Sequence, residues 1–475
     1  MILAQNHQPL LNGNSSLVVI TLFMMFLSAC AVKKSSMHTI PKTDKSETNN
    51  RNKNNSHLPA KVDTIVWKKS FPEDKVIVKS DPDQSTNPSD QVVINKKNKT
   101  KNKFVKEDTA YRVLALMPFK TLDNDSTASK INTGSLRFVQ FYAGIKMALE
   151  ELDNEPGKKI ILDVYDTQSG DDTKNILAKY ETTPPHLIIG PQKSESVKFT
   201  AEWAKAHETS LISPWVSSSS TITERNPYYI QAKAGLAAHY KLLNEHARKN
   251  YPVKNIYLIS KSTEESKSRF FNDSTLYSES ISEKVIPEDE LGTSQELLLT
   301  PLLKEEGSTV FILPLTSSKD ENYIYQFLRR VSIEKGTKDV VVYGTYKWLE
   351  LKSDIIDYLN IQKIRLSISN YIDNDQSDVR NFKKKYFEKY REYPTEEALE
   401  GYDVVKFSIR ALRNYGPEFQ WKDMNTTANY LETSYQLMPI YKSKKISEDP
   451  MDADYFENSF IKIVELMSNK FKIID

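Results

Sequence analysis

The side chains that most often catalyse reactions do not form a recognisable catalytic motif in this sequence. Seven histidines occur among 475 residues, and the pair His207-Glu208 lacks the second histidine of a zinc-binding HExxH motif. The sequence contains no GxSxG motif, no P-loop and no GxGxxG motif. The single cysteine, Cys30, excludes disulfide bonds within the chain and cysteine-based zinc sites. We therefore predict a protein that is not an enzyme and that carries no metal and no cofactor.

Four apolar segments end in a way that could build a binding site. Each is a short apolar run, then a Gly or Pro, then polar residues: LIIGPQKSES (187–196), LISPWVSSSS (211–220), VFILPLTSSK (310–319) and VVVYGTYKW (340–348). Ligands of open α/β sheets bind at the carboxyl ends of the strands, where helix starts offer free N–H groups and hydroxyls. Any one of these serines could simply cap a helix, but four such ends together favour a cleft.

The elements that would position this cleft alternate between strand and helix. The segment 111–117 (YRVLALM) is almost continuously apolar, which is typical of a strand buried on both faces of a parallel sheet. A helix follows, because apolar residues recur at steps of three and four: Phe138, Phe141, Tyr142, Ile145, Leu149 and Leu152. A strand at 160–165, a helix from about 171 and a strand at 186–189 continue the pattern. We predict an α/β fold from residue 111 onward.

The N-terminus predicts export and a lipid anchor. The apolar run 17–27 (LVVITLFMMFL) is too short to cross a membrane and has the length of a signal peptide. It leads into Leu-Ser-Ala-Cys at 27–30, which resembles the lipobox of bacterial lipoproteins, so residues 1–30 are the predicted signal peptide and Cys30 the predicted lipidation site. Neither an aspartate nor an acidic cluster follows Cys30. The sorting rules of such lipoproteins then imply an outer-membrane anchor that faces the periplasm.

A low-complexity tether, 31–109, is expected between the anchor and the folded body. Residues 31–110 carry 17 basic and 10 acidic residues and few apolar ones, and this composition predicts disorder. The remaining chain, 111–475, carries 48 basic and 53 acidic residues. Because nucleic-acid binding normally needs a fixed basic surface on the folded part, this mildly acidic body argues against a nucleic-acid partner.

Several segments together resemble the type I periplasmic-binding-protein domain, the fold of the Leu/Ile/Val receptors of ABC importers. They are RVLALMPF, FYAGIKMALEEL, ILDVYDTQSGDD, LIIGP, LISPWVS, NPYYIQ and FEKYREYPTEEALEGYDVVKFSIRAL. The domain is especially similar to the version found with LysM repeats in bacterial envelope lipoproteins, although the tether shows no LysM repeat. The resemblance implies two Rossmann-like lobes with parallel sheets joined by a hinge. Lobe 1 would comprise about 110–232 and 371–475, and lobe 2 about 233–370.

The resemblance also implies ligand-binding residues in the first lobe. In amino-acid receptors of this family, hydroxyls and backbone amides after two strands of that lobe hold the ligand carboxylate. The matching positions here are Ser194, Ser196, Trp215, Ser217 and Ser218. Trp215 stands where the family commonly has a small residue, so it would narrow the cleft or offer a stacking face.

The second lobe departs from the amino-acid receptors that it resembles. These receptors usually supply a Tyr-Gly aromatic and an acidic residue for the ligand's amine, and the acid is missing here at the expected place. An uncompensated ammonium would be costly in a closed cleft. Lys261 and Lys347 instead favour an anionic or carbohydrate-like ligand, whose sugar faces could stack on Trp215, Tyr346 and Trp348. Core or lobe-interface packing is an equally open reading of these aromatics.

Three functional classes follow. The first is a solute-binding lipoprotein that binds a small polar ligand and passes it to an importer or sensor. The second is an envelope lipoprotein that uses the same fold to bind a protein partner, similar to the outer-membrane lipoprotein activator of a peptidoglycan synthase. The third is a structural scaffold of the cell envelope. Ser-rich strand ends favour the first class, and low glycine content with the altered second lobe favours the second.

Overall fold

The computed structural model describes residues 109–123, 132–168, 170–215, 222, 224–262, 270–351, 358, 362–422, 424, 430–442, 449–467 and 470–474. The predicted signal peptide with Cys30, nearly all of the predicted tether, and the predicted ligand residues Ser217 and Ser218 lie outside these ranges. Among the described residues, no helix combines the length and the apolar composition needed to span a membrane.

The described chain alternates strands and helices, as the sequence pattern predicted. Its strands are β1 (Ala110–Met117), β2 (Lys159–Asp166), β3 (Leu187–Ile189), β4 (Ser210–Ser213), β5 (Tyr229–Gln231), β6 (Ile256–Ser260), β7 (Ser282–Val285), β8 (Thr309–Ile312), β9 (Val340–Thr345), β10 (Lys363–Ile368), β11 (Leu437–Ile440), β12 (Tyr455–Asn458), β13 (Lys462–Met467) and β14 (Lys470–Ile473). Its α-helices are α1 (Thr133–Leu152), α2 (Gly170–Ala178), α3 (Ser194–Ala206), α4 (Leu236–Asn250), α5 (Glu288–Thr293), α6 (Glu321–Glu334), α7 (Ser377–Tyr390) and α8 (Glu396–Tyr415).

Two mostly parallel sheets of seven strands each define two lobes. The first sheet has the order β11-β12-β5-β4-β3-β1-β2, and the second has the order β14-β13-β10-β9-β8-β6-β7. Among the described strands, the antiparallel pairs are β11 with β12, β10 with β13, and β13 with β14. The prediction of an α/β fold with two lobes is confirmed.

The lobe boundaries differ from the prediction at the C-terminus. The sequence interpretation placed all of 371–475 in the first lobe, but β13 pairs with β10 and thereby joins the second sheet with β14. The chain therefore passes between the two sheets at 232–235, at 369–376 and again at 459–461. This third passage could not be seen in the sequence, because the apolar pattern of β13 fits either sheet.

Helices α1 and α8 form the tightest packing of the first lobe. A Cβ atom on Gly401 would lie 2.1 Å from the backbone oxygen of Phe141, and one on Gly144 would lie 1.9 Å from the oxygen of Ala398. Only glycine permits so close a backbone approach. Gly401 belongs to the YPTEEALEGYD segment. Its close contact with α1 holds α8 in place, and α8 forms one wall of the site described next.

Candidate functional site

A cavity of about 810 Å³ lies between the two lobes. Its walls include residues that directly follow the carboxyl ends of β4, β5, β9 and β10, which is where ligands of open α/β sheets bind. The described residues that line it are Arg137, Pro214, Trp215, Gln231, Lys233, Ala234, Tyr346, Lys347, Leu349, Glu350, Ser369, Asn370, Tyr371, Ile372, Asn374, Lys383, Pro394, Glu396, Glu397, Leu399, Glu400 and Glu432. Such a volume suits a small-molecule ligand.

Trp215 forms part of the first-lobe wall. It follows β4, and its ring packs edge-on against Phe138 and Phe141 of α1 at centroid distances of 5.3 and 4.7 Å. The indole Nε1 is buried and has no hydrogen-bond partner within the described structure. Buried indole N–H groups usually find an acceptor. Trp215 thus lines the cavity with a ring that Phe138 and Phe141 pack from behind, which fits the predicted ligand contact.

The two predicted aromatics of the second lobe have different positions. Tyr346 follows β9, lines the cavity and packs against His239 with a centroid distance of 4.7 Å. Trp348 is fully buried in the core of the second lobe and donates from Nε1 to the backbone oxygen of Leu315 at 3.3 Å. A Cβ atom on Gly344 would approach the Trp348 ring to 2.6 Å, so this glycine makes room for the ring. The interpretation of Trp348 as a stacking residue is therefore corrected: it is a core residue.

Of the other described residues that the sequence suggested for the site, Ser194, Ser196 and Lys261 do not line the cavity, whereas Lys347 does. Ser194 is an exposed residue at the start of α3, and Ser196 is buried within the same helix. The Lys261 ammonium lies 2.5 Å from an Asp320 carboxylate oxygen, so its charge is balanced locally. Lys347 does line the cavity, but its ammonium lies 2.8 Å from Glu350. These pairings weaken the argument for an anionic ligand.

The sequence interpretation missed a cluster of charged groups at the hinge side of the cavity. Lys233, in the first passage between the lobes, places its ammonium 2.8 Å from Glu400 of α8. Although desolvation by burial opposes it, the Glu400 carboxylate raises the pKa of Lys233. Glu432 is buried nearby and accepts a hydrogen bond from the Asn370 amide at 3.0 Å. Acidic residues therefore do line the cleft, although the acid expected in the second lobe is missing.

These residues gave unequal signals in the sequence. Glu400 belongs to the YPTEEALEGYD segment, and its place inside a long amphipathic helix could have marked it as an unusual buried acid. Glu432 follows a stretch without periodicity, and no pattern distinguishes it from a surface acid. Only the folded chain brings it beside α8.

Hydrogen bonds attach two of the passages to neighbouring segments of the first lobe. The Glu457 carboxylate accepts from the Gly235 backbone N–H at 2.8 Å, so it ties the end of β12 to the first passage. The backbone N–H of Tyr371 donates to the Glu432 carbonyl at 2.7 Å, and the Thr433 hydroxyl donates to the Ser369 carbonyl at 2.8 Å. A cluster of three or more His, Cys, Asp or Glu side chains that could hold a metal is not found among the described residues.

Comparisons with known proteins bear on the fold alone. No protein-family model and no curated protein matches the sequence. A solved structure described as a branched-chain amino acid ABC transporter from Rhodospirillum rubrum is 14% identical, and the alignment covers 77% of this chain and 100% of that chain with a TM-score of 0.54. An ABC transporter substrate-binding protein from Desulfitobacterium hafniense, in complex with Leu, is 13% identical over 77% and 100% of the two chains with a TM-score of 0.47. Full-length LpoA from Haemophilus influenzae is 12% identical over 77% and 59% with a TM-score of 0.49.

The structural comparison and the sheet topology agree. Two α/β lobes with mostly parallel sheets, three passages of the chain between them and a cavity at the strand ends are present in the described structure. The chain has the two-lobed fold of the type I periplasmic binding proteins, as the resemblance in its sequence indicated.

Proposed function

We propose that this protein is a binding lipoprotein of the bacterial cell envelope that closes its two lobes on a small polar solute and passes it to an importer or sensor. The observation that carries the proposal is the interlobe cavity, whose walls come from both lobes and from the passages between them. A ligand that contacts both lobes favours the closed state, because only a difference in affinity between two states can shift their equilibrium.

The sequence supplies the proposed location. The apolar run 17–27 and the Leu-Ser-Ala-Cys segment support lipidation of Cys30, and the residues after Cys30 support anchoring in the outer membrane on the periplasmic side. An exported, anchored binding protein would hold its cleft near the membrane at which solutes enter.

The mechanism follows from the chemistry of the walls. Trp215 and Tyr346 offer aromatic faces from opposite lobes, against which a flat or apolar face of the solute can pack. Four of the charged groups that line the cleft already form two ion pairs, Lys233 with Glu400 and Lys347 with Glu350. A solute that keeps these pairs and completes the remaining polar contacts avoids a large desolvation cost.

Replacement of Trp215 tests the proposal, and Trp421 provides a matched control. Trp421 is also a partly buried tryptophan packed against the first-lobe core, and it makes an edge contact with Tyr228 at 5.2 Å. Its Nε1 has no hydrogen-bond partner among the described residues, and Trp421 is not one of the described residues that line the cavity. Fractions of a metabolite extract are first screened for a rise in the melting temperature of the wild-type protein. The dissociation constant of the active compound is then measured by calorimetry for each variant.

We expect Trp215→Ala to weaken binding by about 1–3 kcal/mol and Trp421→Ala to leave the dissociation constant nearly unchanged. Equal effects of the two substitutions on binding would contradict a role for the cleft. If no fraction stabilises the wild-type protein and a pull-down from envelope extract retains a specific protein through the folded body, the solute-binding proposal fails and partner binding replaces it.

A further inference from the structure

Glu432 is a buried acid that the hinge holds in one position facing the cleft. Its side chain lines the cavity, while the residue as a whole is only 8% exposed. Its backbone N–H donates to the Asp403 carboxylate at 2.9 Å, and its carbonyl accepts from the Tyr371 N–H. Within the described structure, the one side-chain donor to its carboxyl group is the neutral Asn370 amide at 3.0 Å.

Within the described part of the chain, no basic side chain forms an ion pair with Glu432. Asp403 accepts hydrogen bonds from the backbone N–H groups of Leu431 and Glu432, each at 2.9 Å, but its burial still raises its pKa to about 7. The nearest ammonium, that of Lys233, is held at 2.8 Å by Glu400. Burial, together with the charges of Glu400 and Asp403, raises the pKa of Glu432 well above its ordinary value, and Lys233 only partly opposes this. The charged or titratable groups that face this site from the surrounding elements are Arg137, Lys233, Glu400, Asp403 and Tyr435.

Among the described residues that line the cavity, acids outnumber bases by one. Its bases are Arg137, Lys233, Lys347 and Lys383, and its acids are Glu350, Glu396, Glu397, Glu400 and Glu432. An organic cation that entered the cleft as a proton left Glu432 would offset the charge of the Glu432 carboxylate. Aromatic faces suited to a cation also line the cleft, at Trp215, Tyr346 and Tyr371.

We propose that the cleft binds an organic cation whose ammonium group pairs with Glu432 and displaces the proton of that carboxyl group to solvent. The inference rests on the proposed function and names the class of its solute. In the exchange, the O–H bond of Glu432 breaks, the proton leaves to bulk water, and the carboxylate forms a charge-assisted hydrogen bond to the N–H of the ligand. Glu432 would thus select for a positively charged ligand. The sequence interpretation of Lys261 and Lys347 favoured an anionic or carbohydrate-like ligand instead.

Three probes of equal chain length separate charge from shape: putrescine (butane-1,4-diammonium), butane-1,4-diol and succinate. Binding of each to the folded wild-type protein is measured by calorimetry at pH 7 in phosphate and in Tris, whose different ionisation enthalpies report protons released on binding. We expect only putrescine to bind, with release of a substantial fraction of one proton. Binding of the diol or succinate as tightly as putrescine, or binding of putrescine without proton release, would overturn the proposal.

A pair of isosteric variants locates the effect. Glu432→Gln removes the charge, whereas Glu388→Gln removes an exposed acid of α7 that is not among the described residues lining the cavity. Putrescine should bind at least tenfold more weakly to Glu432→Gln, without proton release, and within about twofold of wild type to Glu388→Gln. The proton release of the wild-type protein is an independent measure if Glu432→Gln does not fold.

The two proposals can fail separately. If metabolite fractions stabilise the protein through Trp215 while putrescine does not bind, the cation inference is wrong and the solute-binding function stands. If neither putrescine nor any metabolite fraction binds, both proposals are wrong.

Discussion

Protonation of His239 should destabilise the folded protein in mild acid. This residue of α4 is completely buried, with Nδ1 3.0 Å from the Ser367 hydroxyl and Nε2 without a partner in the described structure. Burial lowers the pKa of His239 from 6.5 to about 4, although the contact with Ser367 opposes this. The neutral ring packs beneath Tyr346, a cleft residue.

The sign and size of the effect follow from linkage. Because the folded-state pKa of His239 lies below the unfolded-state value, its contribution is fully present above about pH 6.5 and is lost as the pH falls toward 4. Each unit of pKa difference is worth about 1.4 kcal/mol, so the full contribution is about 3 kcal/mol, of which about 2.5 kcal/mol is lost by about pH 4.5.

Urea denaturation of wild type and His239→Gln at pH 7.5 and 4.5 measures this contribution. The free energy of unfolding should fall by about 2.5 kcal/mol more in wild type than in the variant between the two pH values. Comparing the change within each protein cancels any constant effect of the substitution and the titration of other groups. An equal loss in both proteins would refute the assignment of a buried neutral histidine.

Three further predictions test packing, anchoring and organisation. Gly401→Ala should destabilise the fold by about 2–3 kcal/mol or more, because its Cβ would meet the Phe141 carbonyl, whereas Gly292→Ala, where the added Cβ meets no atom within 4 Å, should change the midpoint of urea denaturation little. Cys30→Ser should release the protein from membrane fractions, and continued membrane association of an unacylated chain would contradict lipidation at this residue. Limited proteolysis should leave a stable fragment that begins near Tyr111, and protection of residues 45–103 in the isolated protein would contradict a disordered tether.

The fold could be predicted largely because each sheet strand is a short apolar run with a polar ending. The β1 strand and the apolar face of α1 lie where the periodicity placed them, and the same strand ends pointed to Trp215 and Tyr346 at the cavity. Trp348 could not be assigned in this way, because residues 346–350 form a turn of 3-10 helix that directs this side chain into the core. Tyr346 lines the cleft, but the position of Trp348 two residues later does not show which way the Trp348 side chain points.

The hinge cluster escaped prediction for a different reason. Lys233, Glu400 and Glu432 are separated by 30 or more residues and meet only because the chain passes between the lobes beside α8. None of them belongs to a motif whose spacing implies binding. The receptors that this chain resembles carry an acid at one position of the second lobe, and this chain lacks an acid there. The acids of this cluster come instead from the first lobe and the hinge.

The most direct test of the central claim is native mass spectrometry of protein purified from the envelope without denaturation. We predict a population that carries a single bound small molecule, lost on denaturation, reduced in Trp215→Ala and retained in Trp421→Ala. If the wild-type protein always has the mass of the lipidated chain alone, even after incubation with metabolite fractions, the cleft does not bind a solute and the account is contradicted.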